Sequence, residues 1–211
     1  MAERYSNWLQ LWPYAILMTV LASWVLYHFL APAGWREWAG AGFVQAFIIA
    51  LYAEMYGFPL TIYVLTAALG IEIPLAHSSG HLWATLLGYG RLGAIVEMAI
   101  GSAFIVGGLL LIVKGWVRIY FSDGQVATDG VYAVIRHPQY AGILIAIFGQ
   151  LVHWPTIPTL ALAPVIFFAY VQLARHEESR LVETYGATYQ AYQRRVPMFL
   201  PVGMTWRTLH G

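Results

Sequence analysis

The stretch Arg136-His137-Pro138-Gln139-Tyr140-Ala141-Gly142 begins an apolar hairpin whose other end is His176-Glu177-Glu178. The two apolar segments between these ends are joined by the short turn Pro155-Thr156-Ile157-Pro158. Helices joined by so short a turn pack antiparallel, so an arginine, a histidine and two carboxylates are predicted to meet at one end of the hairpin. Such charged groups, placed where membrane helices emerge into water, are typical of a pocket for a polar ligand.

The composition predicts a polytopic membrane protein. Apolar residues make up 60% of the 211 residues and charged residues 10%, against about 25% charged residues in a soluble domain. A net charge of +1 and the absence of a basic run argue against nucleic acid as a partner. The chain has no cysteine, which excludes disulfides, cysteine-ligated metals and a thiol nucleophile.

Hydrophobic segments predict an all-α membrane bundle of about five transmembrane helices, with the C-terminal helical hairpin and an amphipathic tail helix at 175–192. The expected spans are residues 12–30, 43–69, 92–113, 133–154 and 160–173. Residues 35–40 are expected to form a turn, and residues 70–91 and 114–135 to form connections. Pro59 should kink the long second span, and Gly101, Gly107 and Gly108 should allow close helix packing in the third.

The distribution of basic residues predicts an orientation. With the C-terminus in the cytoplasm, this topology places all Lys and Arg residues except Arg4 and Arg91 on the cytoplasmic side. Such an excess is the usual rule for membrane proteins. The sequence therefore predicts an integral membrane protein with a cytoplasmic C-terminus.

The C-terminal motifs also resemble a known family. The stretch 136–142 is followed by Glu177-Glu178, Tyr185-Gly186, Tyr189, Tyr192, Arg195-Val196-Pro197 and Leu200-Pro201. Together these resemble the isoprenylcysteine carboxyl methyltransferase family, which includes phospholipid and small-thiol methyltransferases. The resemblance implies that the hairpin and tail, within 128–211, bind S-adenosylmethionine. Residues 1–127 are then the membrane spans expected to bind an acceptor that arrives laterally from the bilayer.

The resemblance also implies roles for individual residues. His137, Pro138, Tyr140, Glu177 and Glu178 are expected around the cofactor. The remaining motif residue, Arg136, is expected at the reaction centre or at the cofactor carboxylate. The chemistry agrees, because a carboxylate suits a ribose diol and a guanidinium suits a carboxylate. Methyl transfer from a sulfonium depends on in-line positioning and water exclusion more than on a protein nucleophile.

Four polar residues outside these motifs are further candidates. Glu54 lies in a membrane segment beside Pro59. It is a candidate catalytic residue that contacts the acceptor or relays a proton. The alternative is that Glu54 makes a structural hydrogen bond between helices. Glu97 also lies in a membrane segment, and the functional and the structural reading both stay open for it. His77 and His81 have a spacing that suits one helix face, but no third ligand is near, so no metal site is predicted.

The predicted function is an integral membrane methyltransferase that moves a methyl group from S-adenosylmethionine to a hydrophobic small molecule or lipid. The acceptor group can be a thiol, an amine or a carboxylate. The alternative is an NADPH-dependent membrane reductase, because sterol reductases look similar in the same region. A non-enzymatic membrane scaffold is a third possibility, but it leaves the polar cluster of the hairpin unexplained. The expected partners are the bilayer and the hydrophobic substrate, and the oligomeric state stays open.

Overall fold

The computed structural model describes residues 10–73, 77–122 and 126–201, and these residues form helices without strands. The helices are α1 Trp12–Leu30, α2 Trp35–Tyr52, α3 Leu60–Leu69, α4 Leu82–Leu86, α5 Gly90–Tyr120, α6 Pro138–His153, α7 Ile157–Tyr185 and α8 Ala187–Arg195. A π-helical turn, Ala53–Gly57, follows α2, and short 3-10 helices occupy His77–Gly80 and Gly130–Ala133. The prediction of an all-α helical bundle is confirmed.

Within the described parts of the chain, four helices are long and apolar enough to cross a membrane: α1, α2 with its π turn, α5 and α7. Large apolar side chains on their outer faces are exposed, among them Ile16 and Trp24 of α1 at about 60%. Such surfaces require lipid as their solvent. The remaining predicted span, α6, has 16 residues and measures about 24 Å, which is shorter than a hydrocarbon core of about 30 Å.

The segment predicted as one kinked helix over 43–69 consists of two helices. Pro59 cannot donate a backbone hydrogen bond, and the Phe58 amide bonds the Ala53 carbonyl five residues back, at 2.7 Å. The prediction of a turn at 35–40 is wrong, because α2 begins at Trp35. The Glu37 carboxylate stabilises this helix start by accepting the Ala33 amide at 2.8 Å.

Helices α5 and α6 pack backbone against backbone through glycines. A Cβ atom on Gly101 would lie 2.7 Å from the Gly149 carbonyl oxygen, and one on Gly108 would collide with the Gly142 carbonyl. Only glycine permits so close an approach. A Cβ on Gly107 would meet nothing within 4 Å, so the expectation that Gly107 belongs to this contact is wrong.

Three further boundaries differ from the sequence prediction. Helix α5 continues to Tyr120 through the residues expected to start a connection, and residues 70–91 contain the short helix α4. Helix α6 begins at Pro138 rather than at residue 133. The predicted tail helix, 175–192, is divided: its first half continues α7 to Tyr185, and Gly186, with a φ of 56°, separates it from α8.

The helix directions give the bundle two distinct ends. One end, called here the cleft end, holds the start of α6 at His137, the start of α2 at Trp35 and the C-terminal part of α7. The other end, called here the far end, holds Trp154 and the start of α7. Among the described Lys and Arg residues, Arg91 alone lies at the far end. This asymmetry agrees with the charge argument, and the orientation in the membrane stays a prediction.

Candidate active site

The tail of the chain folds back onto the start of α6. The Arg136 amide donates to the Pro197 carbonyl at 2.9 Å, and the His137 amide donates to the Met198 carbonyl at 3.1 Å. The Tyr192 hydroxyl of α8 donates to the Tyr132 carbonyl at 2.6 Å. These bonds hold α8 and the tail against the mouth of the α6–α7 hairpin.

Glu178 is the centre of the polar cluster at this mouth. Its carboxylate bonds the Arg136 Nε at 2.7 Å, the His137 Nε2 at 3.0 Å and the Gln193 Nε2 at 3.0 Å. Arg136 Nη1 also donates to the carbonyls of Gln193, at 2.8 Å, and of Val196. The side chains of Arg136 and Glu178 are each 10% exposed. This ion pair therefore connects α6, α7 and the tail. The remaining terminal nitrogen of Arg136, Nη2, takes no part in these contacts.

Glu177 has a different environment, because its side chain is 31% exposed. The Tyr140 hydroxyl donates to its Oε1 at 2.5 Å, and His137 Nδ1 lies 3.4 Å from its Oε2. The His137 ring stacks on the Tyr140 ring, with centroids 5.6 Å apart and planes 2° apart. Glu177 is thus oriented by two neighbours and still reaches open space.

The two glutamates determine the ionisation of His137. Burial lowers the pKa of its imidazole, but the hydrogen bonds to Glu177 and Glu178 raise it more, and the net pKa lies above the usual value. Burial also raises the pKa of the Tyr192 phenol to about 12. The site therefore favours the protonated form of the His137 imidazole and the neutral form of the Tyr192 phenol.

A cleft of about 280 Å³ lies in front of these groups. It is lined by Ile119, Ser122, Val126, Ala127, Tyr132, Arg136, His137, Gln139, Tyr140, Glu177, Leu181, Tyr185, Tyr189 and Tyr192. Aromatic rings dominate, and Glu177 is the carboxylate among these residues. Such a surface suits a ligand with a flat ring system and a hydroxylated or charged part.

Four predicted site residues, Arg136, His137, Tyr140 and Glu177, line the cleft together. Pro138 is fully buried at the first position of α6, where it fixes the helix start and its ring lies near Gly115 of α5. Glu178 lies behind the cleft rather than on its surface. The roles predicted for these residues toward a cofactor stay predictions.

Glu54 does not join this group. Its Oε2 accepts the Thr61 amide at 2.8 Å, in the first turn of α3, and the Thr61 hydroxyl accepts the Ile157 amide at 2.8 Å. The carboxylate is buried at the far end near Trp154, one α6 length, about 24 Å, from the cleft. The geometry favours the structural reading, in which Glu54 caps α3 and connects it to the start of α7.

Glu97 and His81 also lie at the far end. The Glu97 Oε2 accepts the Ala84 amide of α4 at 2.9 Å, and His81 Nδ1 lies 3.0 Å from the His153 carbonyl. His81 also stacks on the His153 ring. These contacts hold α4 against α5 and α6. Within the described ranges, no three His, Asp or Glu side chains are placed to bind a metal ion, and the His77 side chain lies outside the description.

The sequence did not reveal one member of the cluster, Gln193. Its amide bonds Glu178 and its carbonyl bonds Arg136. No motif pointed to this residue, because a glutamine in a polar tail helix has no distinctive spacing. Three tyrosines that belong to the motifs of the resemblance, Tyr185, Tyr189 and Tyr192, also line the cleft.

Comparisons with known proteins match this part of the chain. Residues 96–188 match the family model described as phospholipid methyltransferase. A protein-S-isoprenylcysteine O-methyltransferase of Schizosaccharomyces pombe is 35% identical over 81 residues, covering 38% of this chain and 34% of the relative. The isoprenylcysteine O-methyltransferase B of Arabidopsis thaliana is 35% identical over 78 residues, covering 36% and 40%. The methanethiol S-methyltransferase 2 of Bradyrhizobium diazoefficiens is 31% identical over 139 residues, covering 62% and 51%.

The fold is that of a helical membrane protein, and the region around the cleft is similar in sequence to methyltransferases. Residues 96–188, from α5 to the start of α8, match the phospholipid methyltransferase family model, and the resemblance found in the sequence is confirmed. The reductase alternative is not supported by these relatives. No solved structure matches the chain. The matched regions span between a third and a half of the relatives' lengths.

Proposed function

We propose that this protein is an integral membrane methyltransferase that uses S-adenosylmethionine to methylate a hydrophobic acceptor. The observation that carries the proposal is the cluster of Glu177, His137 and Tyr140 on one wall of the cleft, inside the region that matches methyltransferases. The acceptor is a lipid or a small apolar molecule with a thiol, an amine or a carboxylate.

The residues of the cleft fit this cofactor. The partly exposed carboxylate of Glu177 can accept hydrogen bonds from both hydroxyls of a ribose. The rings of Tyr185 and Tyr189 can stack with an adenine. Arg136 retains Nη2 for the carboxylate of the methionine part. When bound, the cofactor supplies an electrophilic methyl group on a sulfonium. The volume of about 280 Å³ is at the lower end of the range of about 300–1,000 Å³ for ligand sites.

An apolar cavity of about 260 Å³ lies beside the cleft, between α1, α2, α5 and α6. Ile143, Ala146 and Ile147 of α6 line it, about one to two turns from Tyr140 in the cleft. We propose that the apolar part of the acceptor occupies this cavity. We propose the same division of the chain as the sequence predicts, with acceptor binding mainly in residues 1–127 and cofactor binding mainly in residues 128–211.

The chain's own groups contribute to the reaction by orientation. The tail packs against the mouth of the hairpin, while Tyr140 and His137 hold Glu177 in one position. The relatives are named for isoprenylcysteine and for methanethiol. Hydrophobic thiols and S-alkylated cysteines are therefore the first acceptors to test.

Thermal unfolding of the detergent-solubilised protein tests the proposal. A ligand at 100 times its dissociation constant stabilises a folded protein by about 2.7 kcal/mol. We expect S-adenosylhomocysteine to raise the unfolding temperature and NADPH to leave it unchanged. Stabilisation by NADPH alone would contradict the proposal and would indicate a reductase.

A further inference from the structure

A second concave surface lies between α2 and α7, at the cleft end of the bundle. This α2–α7 groove has a volume of about 430 Å³. The residues that define its character are Trp35, Arg36 and Phe43 of α2 and Leu173, Arg175 and His176 of α7. It belongs neither to the cleft nor to the apolar cavity.

The mouth of the groove is cationic. Arg36 and Arg175 line it, no carboxylate of the described residues does, and both arginines are exposed. The acids that neighbour these residues in sequence face other partners, since Glu37 accepts the Ala33 amide and Glu177 accepts the Tyr140 hydroxyl. Two guanidinium groups thus face one space, and no carboxylate in the lining offsets their charge.

A histidine holds one of these arginines in place. Arg36 Nη1 donates to the His176 ring, with Nη1 and Nε2 2.8 Å apart. The Arg36 guanidinium also lies 5.2 Å from the centre of the Trp35 ring. Its remaining nitrogens are left to donate to an anion in the groove.

The floor of the groove is mostly apolar, and Gln172 of α7 is a polar residue beside it. Phe43 lies two helical turns along α2 from Arg36, about 10.5 Å deeper, and Leu173 lies opposite on α7. Gly40 is buried and adds no side chain, which keeps the groove concave. At the mouth, Trp35 is 74% exposed, as expected of an indole at the level of lipid headgroups. A free anion would use the mouth alone, whereas this surface continues from the arginines to the apolar side chains of Phe43 and Leu173.

We propose that the α2–α7 groove binds an anionic phospholipid, with its phosphate on Arg36 and Arg175 and its glycerol and upper acyl chains along Phe43 and Leu173. Guanidinium groups bind phosphate oxygens in pairs, and basic groups near a membrane surface are attracted to anionic lipid. The lipid is a bound ligand here and is not methylated. This inference does not depend on the proposed function.

Native mass spectrometry of the full chain in detergent tests the proposal. Phosphatidylglycerol and phosphatidylcholine with the same acyl chains are added separately. We expect the wild-type protein to retain phosphatidylglycerol at least tenfold more tightly, and the double variant Arg36→Gln/Arg175→Gln to lose this preference. The matched control is Arg180→Gln, an exposed arginine of α7 outside the groove, which should keep it. Unfolding temperatures are measured for all variants to confirm that they fold.

Three outcomes would overturn the proposal. Equal retention of both lipids by the wild-type protein, or an equal loss in Arg180→Gln, would show that the groove does not select a headgroup. Glycerol 3-phosphate at millimolar concentration supplies the anion without acyl chains. If it displaced phosphatidylglycerol, the groove would be a site for free phosphate compounds rather than for a membrane lipid.

Discussion

Replacing Glu178 by glutamine is expected to release the tail from the hairpin. The carboxylate accepts three hydrogen bonds, from Arg136, His137 and Gln193. A glutamine amide has one accepting oxygen, so its NH₂ group would face either the Gln193 amide nitrogen or the donors of Arg136 and His137. Arg136, whose side chain is 10% exposed, would also lose its counter-charge. Breaking a buried ion pair in this way costs about 3 kcal/mol.

Hydrogen exchange and thermal unfolding measure this effect. In Glu178→Gln we expect faster exchange of the amides of α8 and the tail, while amides of α5 and α6 exchange as in the wild-type protein. The matched control is Glu183→Gln, an exposed glutamate on the same helix, for which we expect a change within about 0.5 kcal/mol. Exchange of α8 at the wild-type rate in Glu178→Gln would refute the role assigned to this ion pair.

Three further predictions concern the helix contact, the histidine and the buried acid at the far end. Gly108→Ala should destabilise the bundle by about 1–3 kcal/mol, because its new methyl group meets the backbone of α6. The control variant Gly107→Ala should be neutral or slightly stabilising. Equal unfolding temperatures for the two variants would contradict the packing described for α5 and α6. The pKa of His137 in the folded protein is raised. The difference in free energy of unfolding between the wild-type protein and His137→Gln should therefore be fully present below about pH 6.5 and decrease as the pH rises through the raised pKa. Unfolding scans in which this difference grows with pH would contradict the prediction. Glu54→Gln should retain cofactor affinity and turnover and lose about 1 kcal/mol of stability, and a loss of turnover with normal stability would restore the catalytic role.

Helix positions could be predicted where composition alone decides them. Helix α1 occupies Trp12–Leu30, as its apolar run indicates. Helix α5 exceeds its prediction because Lys114 and Arg118 were taken to end it, although long cationic side chains at a helix end can extend toward water. Gly107 and Gly108 are adjacent in sequence, and only the rotation of α5 against α6 shows which of them makes the contact.

The candidate site could also be predicted from the sequence only in part. Arg136, His137, Tyr140 and Glu177 were found because charged and aromatic groups stand out at the ends of apolar segments. Part of what holds Arg136 could not be found in this way, because it bonds the carbonyls of Gln193 and Val196. Every residue has a carbonyl, so the sequence carries no signal for this contact. The different exposures of the adjacent Glu177 and Glu178 also depend on the rotation of α7.

The most direct test of the central claim is calorimetric titration of S-adenosylmethionine into the detergent-solubilised protein and its Glu177→Gln variant. The side chain of Glu177 reaches the cleft and is 31% exposed, so the substitution should leave the fold intact and remove a ligand of the ribose hydroxyls. We predict binding to the wild-type protein that weakens at least tenfold, or about 1.4 kcal/mol, in Glu177→Gln, and stays unchanged in Glu183→Gln. Equal affinity in all three proteins would show that the cofactor does not bind in this cleft.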